Sequence, residues 1–199
     1  MLIYLFSEVF IMGPTGWIVL GVIAALVIII ILWIISAQRS LAAMDENVNN
    51  AMSQIGVQLS SRWDALTALL DLTKGYAEHE YKTISDTIKA RRTTITAKST
   101  AADVTEQENV ITDALGKIMA VAENYPDIKA NQNYMKTMDS VNSYENSVRQ
   151  ARLIYNDSVT KLNRSIRMFP RSIIAGMMGF HARDYLQAEP EKASMPSMK

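Results

Sequence analysis

Hydrophobic residues are distributed along this chain in two contrasting ways. From Val9 to Gln38 no charged side chain occurs, and residues 17–35 are almost uninterrupted Ile, Val, Leu, Ala and Trp. Beyond Arg39 the apolar residues recur every three or four positions among polar ones. The first pattern has no polar face, which a helix at the surface of a soluble core requires. At about 1.5 Å rise per residue, residues 17–35 cover roughly 28 Å, close to the ~30 Å hydrocarbon layer of a bilayer. Trp17 and Trp33 stand near the two ends of the run, at the depth where indole rings prefer to lie. The run reads as one transmembrane helix, residues 17–36, preceded by a short extracytoplasmic segment, residues 1–16. A cleaved signal peptide would need a basic start and a shorter apolar core. Met1 to Glu8 has no Lys or Arg, and Ile35-Ser36-Ala37 is a poor cleavage box, so the segment is read as an uncleaved anchor.

The second pattern predicts an all-α body, an elongated antiparallel helical bundle over residues 37–187 with a very long first helix. Leu41, Met44, Val48, Ala51, Ile55, Leu59, Arg62, Leu66, Leu69 and Thr73 fall on one helical stripe. The stripe continues less cleanly through Tyr76, Glu80, Ile84 and Ile88, so the helix is expected to reach as far as Lys98. A Gly inside a helix costs about 1 kcal/mol relative to Ala, so Gly75 predicts a kink or a close helix contact. Residues 99–104 are the first expected turn, with Ser99 or Thr100 capping the next helix and Asp103 and Glu106 favouring its N-terminal end. That helix carries Val110, Ile111, Ala114, Leu115, Ile118, Met119 and Ala122 on one side and stops at Asn124-Tyr125-Pro126-Asp127. The last long helix spans about Asn131 to Met168, with a seam of Met138, Val141, Glu145, Val148, Arg152, Tyr155, Val159, Leu162, Ile166 and Phe169. A short apolar segment, residues 173–180, follows Pro170, and the tail over residues 188–199 has the composition of a disordered one.

Charge adds orientation. Before the span the only charged residue is Glu8, and Arg39 follows it directly. The positive-inside bias places the N-terminus outside and the bundle in the cytoplasm, with the chain single-pass in the inner (cytoplasmic) membrane. Twenty basic and twenty acidic residues balance, which argues against nucleic acid as a partner. The absence of Cys agrees with a cytosolic body lacking a disulfide framework.

Three blocks of residues carry a family pattern. The first runs from Asn49 to Asp64 and on through Lys74-Gly75-Tyr76-Ala77-Glu78-His79-Glu80. The second is Glu123-Asn124-Tyr125-Pro126-Asp127-Ile128-Lys129-Ala130-Asn131. The third comprises Glu145-Asn146, Ala151-Arg152, Tyr155-Asn156, Asn163, Phe169-Pro170, Ile174-Ala175-Gly176 and Gly179-Phe180. In that order and spacing the chain resembles the LemA family of bacterial membrane proteins. The resemblance implies an N-terminally anchored antiparallel helical bundle with no assigned catalysis, and a turn built on Tyr125, Pro126 and Lys129. Some members of that family are associated with magnetosome membranes, a prior for membrane organisation without a mechanism. The family usually has an acidic residue where this chain has Gly56, a second basic residue at Ser61 and a Pro-Asn pair at Thr67-Ala68. Lacking the Pro, the long helix here should run straighter.

Candidate chemistry is thin. His79-Glu80 opens like a zinc-protease helix, but Thr83 stands where the second His belongs and the other His is His181. No Ser elbow and no phosphate loop is present, so no catalytic, metal or cofactor site and no small-molecule substrate is assigned. Glu145 and Arg152, both on the last helix's seam, either snorkel to its edge or pair across the bundle and fix its register. Register fixing is favoured, with Arg62 or Arg91 as the partner of Glu145. From Lys161 to Arg183 there are five basic residues and no acidic one. Arg164, Arg167, Arg171 and Phe180 are therefore candidates for lipid contact, set against the commoner alternative that the neighbouring apolar residues pack under the bundle. Gly21 and Ala25 permit close approach of two spans, and a homo-oligomer is expected. The leading expectation is a non-enzymatic membrane-anchored scaffold for protein interaction or membrane organisation. The alternatives are a signal-transmitting coiled coil and a membrane-remodelling protein acting through the basic C-terminal segment.

Overall fold

A computed structural model describes residues 14–187, so the tail and most of the N-terminal segment lie outside the described residues. The first helix, α1 (Pro14–Asp71), contains 58 residues and extends about 87 Å. It carries the apolar run and the first half of the bundle without interruption. No Pro follows Pro14 in it, and it passes unbroken through Thr67 and Ala68. Every large apolar residue between Trp17 and Ile35 is exposed on it, and burial begins at Ala37. From there the stripe Leu41, Val48, Ala51, Ile55, Leu59, Arg62, Leu66 and Leu69 is buried.

The expected continuation to Lys98 does not occur. Thr73, fully buried, donates its hydroxyl to the Leu70 carbonyl at 2.7 Å, and its backbone N–H goes to the same oxygen. That carbonyl would otherwise accept from the N–H of Lys74, which turns to Asp71 instead. Local competition from a hydroxyl of this kind weakens and bends a helix, and here it coincides with the shift to i→i−3 bonding. Gly75 lies within this turn, where the helix is broken, and makes no close contact, since nothing lies within 4 Å of where its Cβ would stand. After the turn, α2 (Glu78–Arg91) buries only Ile84 and Ile88. Residues 92–99 then return along α1. Arg92 meets Asp64 at 3.0 Å and Ser60 at 3.4 Å, and Ile95 rests on Gly56 so closely that a Cβ there would lie 2.2 Å from the Ile95 carbonyl oxygen.

The expected cap opens α3 (Ala101–Asn124). Thr100 accepts from the N–H of Asp103 and the Asp103 carboxylate accepts from the N–H of Thr100 at 2.7 Å. Tyr125-Pro126 ends α3 as expected and starts α4 (Pro126–Ala130), and Asn131 caps α5 (Gln132–Arg167). A final helix, α6 (Arg171–Met178), ends at Gly179, whose φ of 75° suits glycine. Helix α5 lies antiparallel to α1, with Glu145 at Arg62 and Lys161 near Met44. Helix α3 covers the outer part of their groove, α4 links α3 to α5, and α6 sits on the middle of α1, at Ala37 and Leu41, beside the C-terminal end of α5. One large core runs from Val48 to Leu186, and a small second one joins Ala37 and Leu41 to Ile174 and Ala175.

Two assignments change. Phe169, placed on the α5 seam by spacing, is 80% exposed because the chain has left the helix before reaching it. Met119 is exposed rather than in the core. Gln107 and Glu108, unassigned from spacing, are buried.

Candidate functional site

Glu145 accepts from Arg62 at 3.2 Å and forms an ion pair with Arg149, one turn on, at 3.6 Å. Arg91, the other partner considered for Glu145, is exposed, and its backbone carbonyl accepts from the Gln107 amide at 3.1 Å. Arg152 pairs with Glu108 of α3 at 2.7 Å, with side-chain exposures of 15% and 9%. Glu108 shares the face of Val104, Ile111 and Leu115, and a carboxylate on an apolar stripe was the sequence signal for this partner. The two pairs therefore tie α5 to α1 and α5 to α3, two turns apart.

Below the start of α3, its place in the groove is taken by an extended segment, residues 180–187. Two asparagines hold it by its backbone. Asn163 accepts from the N–H of Arg183 and donates to its carbonyl, both at 2.9 Å. Asn156 does the same to Leu186, at 2.9 and 2.8 Å. Seven residues of helix rise about 10.5 Å, and three residues of extended chain about 10 Å, so the two clamps match in pitch. The Tyr155 hydroxyl donates to the Asp184 carbonyl at 3.0 Å, and Arg152 also donates to the Gln187 carbonyl. The Arg183 guanidinium crosses to Asp45 of α1 at 2.9 Å, and Leu186 enters the core. Burial raises the pKa values of Tyr155 and Tyr134 above the ordinary tyrosine range. The Asp71 carboxylate, accepting the Tyr81 hydroxyl at 3.0 Å, raises that of Tyr81.

The remaining expected residues lie at the two ends of the bundle. Tyr125 and Pro126 form the α3–α4 turn, anchored by buried Ile128, and Lys129 reaches Glu123 at 4.0 Å. Beside this turn is a cavity of about 400 Å³ lined by Met119, Met135, Met138 and Tyr134, with Lys129 and Asp139 at its rim. At the other end Trp33, Lys161, Arg164, Met168, Phe169 and Arg171 line a second cavity of about 360 Å³. Arg167 is exposed nearby, and Phe180 is half-buried against the small core. Trp17, Gly21 and Ala25 are exposed along α1, and nothing lies within 4 Å of a Cβ placed on Gly21. Among the described residues no group of three or more His, Cys, Asp or Glu side chains could hold a metal ion.

One helix of the described residues, α1, is long and apolar enough to cross a membrane. Magnetosome proteins MamQ 1 and MamQ 2 of Paramagnetospirillum magneticum are each 33% identical over 78 residues, and magnetosome protein MamQ of Magnetospirillum gryphiswaldense is 30% identical over 78 residues. Each alignment covers 39% of this chain and only 29% of the magnetosome protein. The family model for the LemA family matches residues 51–199, which takes in α2 to α6, the two asparagine clamps and all three motif blocks from Ala51 onward, and the chain belongs to the LemA family.

Proposed function

We propose that this protein is a non-enzymatic, membrane-anchored helical scaffold that holds an interaction surface at a fixed height above the bilayer. The observation carrying this reading is that the apolar segment and the central helix of the bundle are one helix. From Ile35 to Asp71 that helix rises roughly 54 Å, so the α3–α4 turn with Tyr125, Pro126 and Lys129, and its methionine-lined cavity, stand far from the lipid. Methionine surfaces adapt to partners of varied shape. In this reading residues 17–36 span the inner membrane with the N-terminus outside, and residues 37–187 form the cytoplasmic bundle. Arg62–Glu145 and Arg152–Glu108 set the register of α5 against its neighbours, because a slip by one turn would leave four charged groups without their partners. Exposed Gly21 and Ala25 give copies of the span a surface on which to associate. The magnetosome relatives make membrane organisation the process to examine.

A second reading draws on the same observation: an unbroken α1 is also what a signal-transmitting coiled coil needs. Cross-linking in native membranes followed by mass spectrometry of the affinity-purified chain separates the outcomes. A recurring foreign protein linked near Lys129 supports the adaptor form, and self-links along α1 support a self-assembling scaffold. Links that change with an external stimulus favour transmission. Turnover of any substrate by the purified full chain, abolished by a single substitution, would overturn the scaffold reading.

A further inference from the structure

The corner between α5 and α6 is placed by the rest of the fold at an unusual height. Ile174 and Ala175 of α6 pack on Ala37 and Leu41 of α1. These lie four and eight residues beyond Trp33, about 6 and 12 Å along the axis. If the hydrocarbon layer ends near Ile35, α6 lies in the headgroup layer, which adds roughly 5–8 Å on each side of the hydrocarbon.

The surface there suits that layer. Ile173 is 56% and Met177 83% exposed, four residues apart on α6 and turned from the small core, and Phe169, in the corner just before α6, is 80% exposed. Around them stand Arg164 and Arg167, which have no ion-pair partner among the described residues, and Arg171, whose contact is the Ser165 hydroxyl at 3.3 Å. Lys161, at the upper edge, is occupied by Asp157 at 2.7 Å. No Asp or Glu occurs between Asp157 and Asp184, and Arg39 emerges from α1 at the same height. The cavity of about 360 Å³ between Trp33, Arg164 and Arg171 opens between this rim and the span.

We infer that the α5–α6 corner is an anionic-phospholipid site, in which Arg164 and Arg171 hold a lipid phosphate beside Trp33 while Phe169, Ile173 and Met177 enter the interface. The inference rests on the reading of α1 as a span. It adds a second attachment, which fixes the tilt of the bundle and makes it sensitive to lipid charge. Arginine suits the task because its planar fork donates two hydrogen bonds to a phosphate.

The chain has no Cys, so single-cysteine variants of the full protein accept one nitroxide label each. Val27→Cys, Val57→Cys, Phe169→Cys and Met177→Cys are reconstituted into phosphatidylcholine vesicles with and without phosphatidylglycerol. Label depth is read from accessibility to oxygen against a water-soluble nickel complex. The expected result is position 27 in hydrocarbon, position 57 in water, and positions 169 and 177 at the interface when phosphatidylglycerol is present. Arg164→Glu with Arg171→Glu should return 169 and 177 to water without moving 27, each charge lost weakening the attraction about fivefold. Labels at 169 and 177 that stay aqueous while 27 is deep overturn the lipid site and leave the anchor standing. A label at 27 that is aqueous overturns the anchor itself. Movement of 169 and 177 on adding inorganic phosphate to pure phosphatidylcholine vesicles would mean that the site takes free phosphate, and would overturn the lipid assignment.

Discussion

The two halves of α1 have the same backbone and opposite surfaces. Between Trp17 and Ile35 the apolar side chains point in every direction and all are exposed. Between Ala37 and Leu70 they form a stripe whose members, from Leu41 to Leu69, are mostly below 3% exposure. Intrahelical hydrogen bonds are satisfied equally in both. What differs is the medium each face suits: the first half has the all-round apolar surface that a lipid environment accepts, and the second matches two protein helices plus water. An apolar side chain thus contributes to the bundle only where another helix covers it.

That contrast can be broken most forcefully by truncating equivalent residues. Ile55→Ala removes a fully buried side chain and should cost the bundle about 2–5 kcal/mol. The same change at Ile29, 61% exposed, should leave the melting of the bundle unchanged. Thermal unfolding of the full chain in detergent, followed by circular dichroism, measures both.

Next in size is the polar seam. Glu108→Gln leaves the Arg152 guanidinium, 15% exposed, facing a neutral amide and should destabilise by about 3 kcal/mol. Asp113→Asn, which breaks the half-exposed pair with Lys117, should change stability by less than about 0.5 kcal/mol. Equal denaturation midpoints for the two variants would show that burial does not distinguish these pairs.

Glycine positions separate the halves again. Gly56→Ala drives a Cβ against the Ile95 backbone, which has no flexible end to move aside, and should cost about 1–3 kcal/mol. Gly21→Ala meets no atom within the chain, so folding should be unaffected. If copies associate through this face, its dimer fraction by cross-linking should fall.

The smallest effect concerns the α3 cap. Hydrogen bonds from the Thr100 N–H and side chain hold the Asp103 pKa below its ordinary value of 3.8. A carboxylate lowered on folding stabilises the protein fully above its unfolded pKa and loses that contribution as pH falls through the folded value. Thr100→Ala should cost about 1 kcal/mol at neutral pH. It should also flatten, in part, the acid limb of a stability–pH profile below the ordinary aspartate range, because the larger contribution, from the backbone N–H of residue 100, remains.

Much of this was legible beforehand because it follows from local rules. The cap at Thr100, the stop at Tyr125-Pro126, the α1 and α5 stripes and the break at Phe169-Pro170 are each encoded within a few residues. The end of α1 was missed because Thr73, whose own hydroxyl competes for the Leu70 carbonyl, sits on the apolar stripe, where spacing reads it as one more helical position. Gly56 was noted as a departure from the family pattern, yet its reason is Ile95, thirty-nine residues later. Glu145 and Arg152 stand out in the sequence as charges on a seam, whereas Asn156 and Asn163 enter only as members of the family pattern, with no role legible until a backbone lies against them.

The sequence by itself determined the segment long enough to span a bilayer, the helical class, the caps and the faces destined for burial, because each depends on side chains within one or two turns. Only the tertiary structure decided that the apolar segment and the bundle are one continuous helix, that Arg152 faces Glu108, and that residues 180–187 fill the groove that α3 leaves open. Those outcomes depend on which distant surfaces meet, and no local spacing records that.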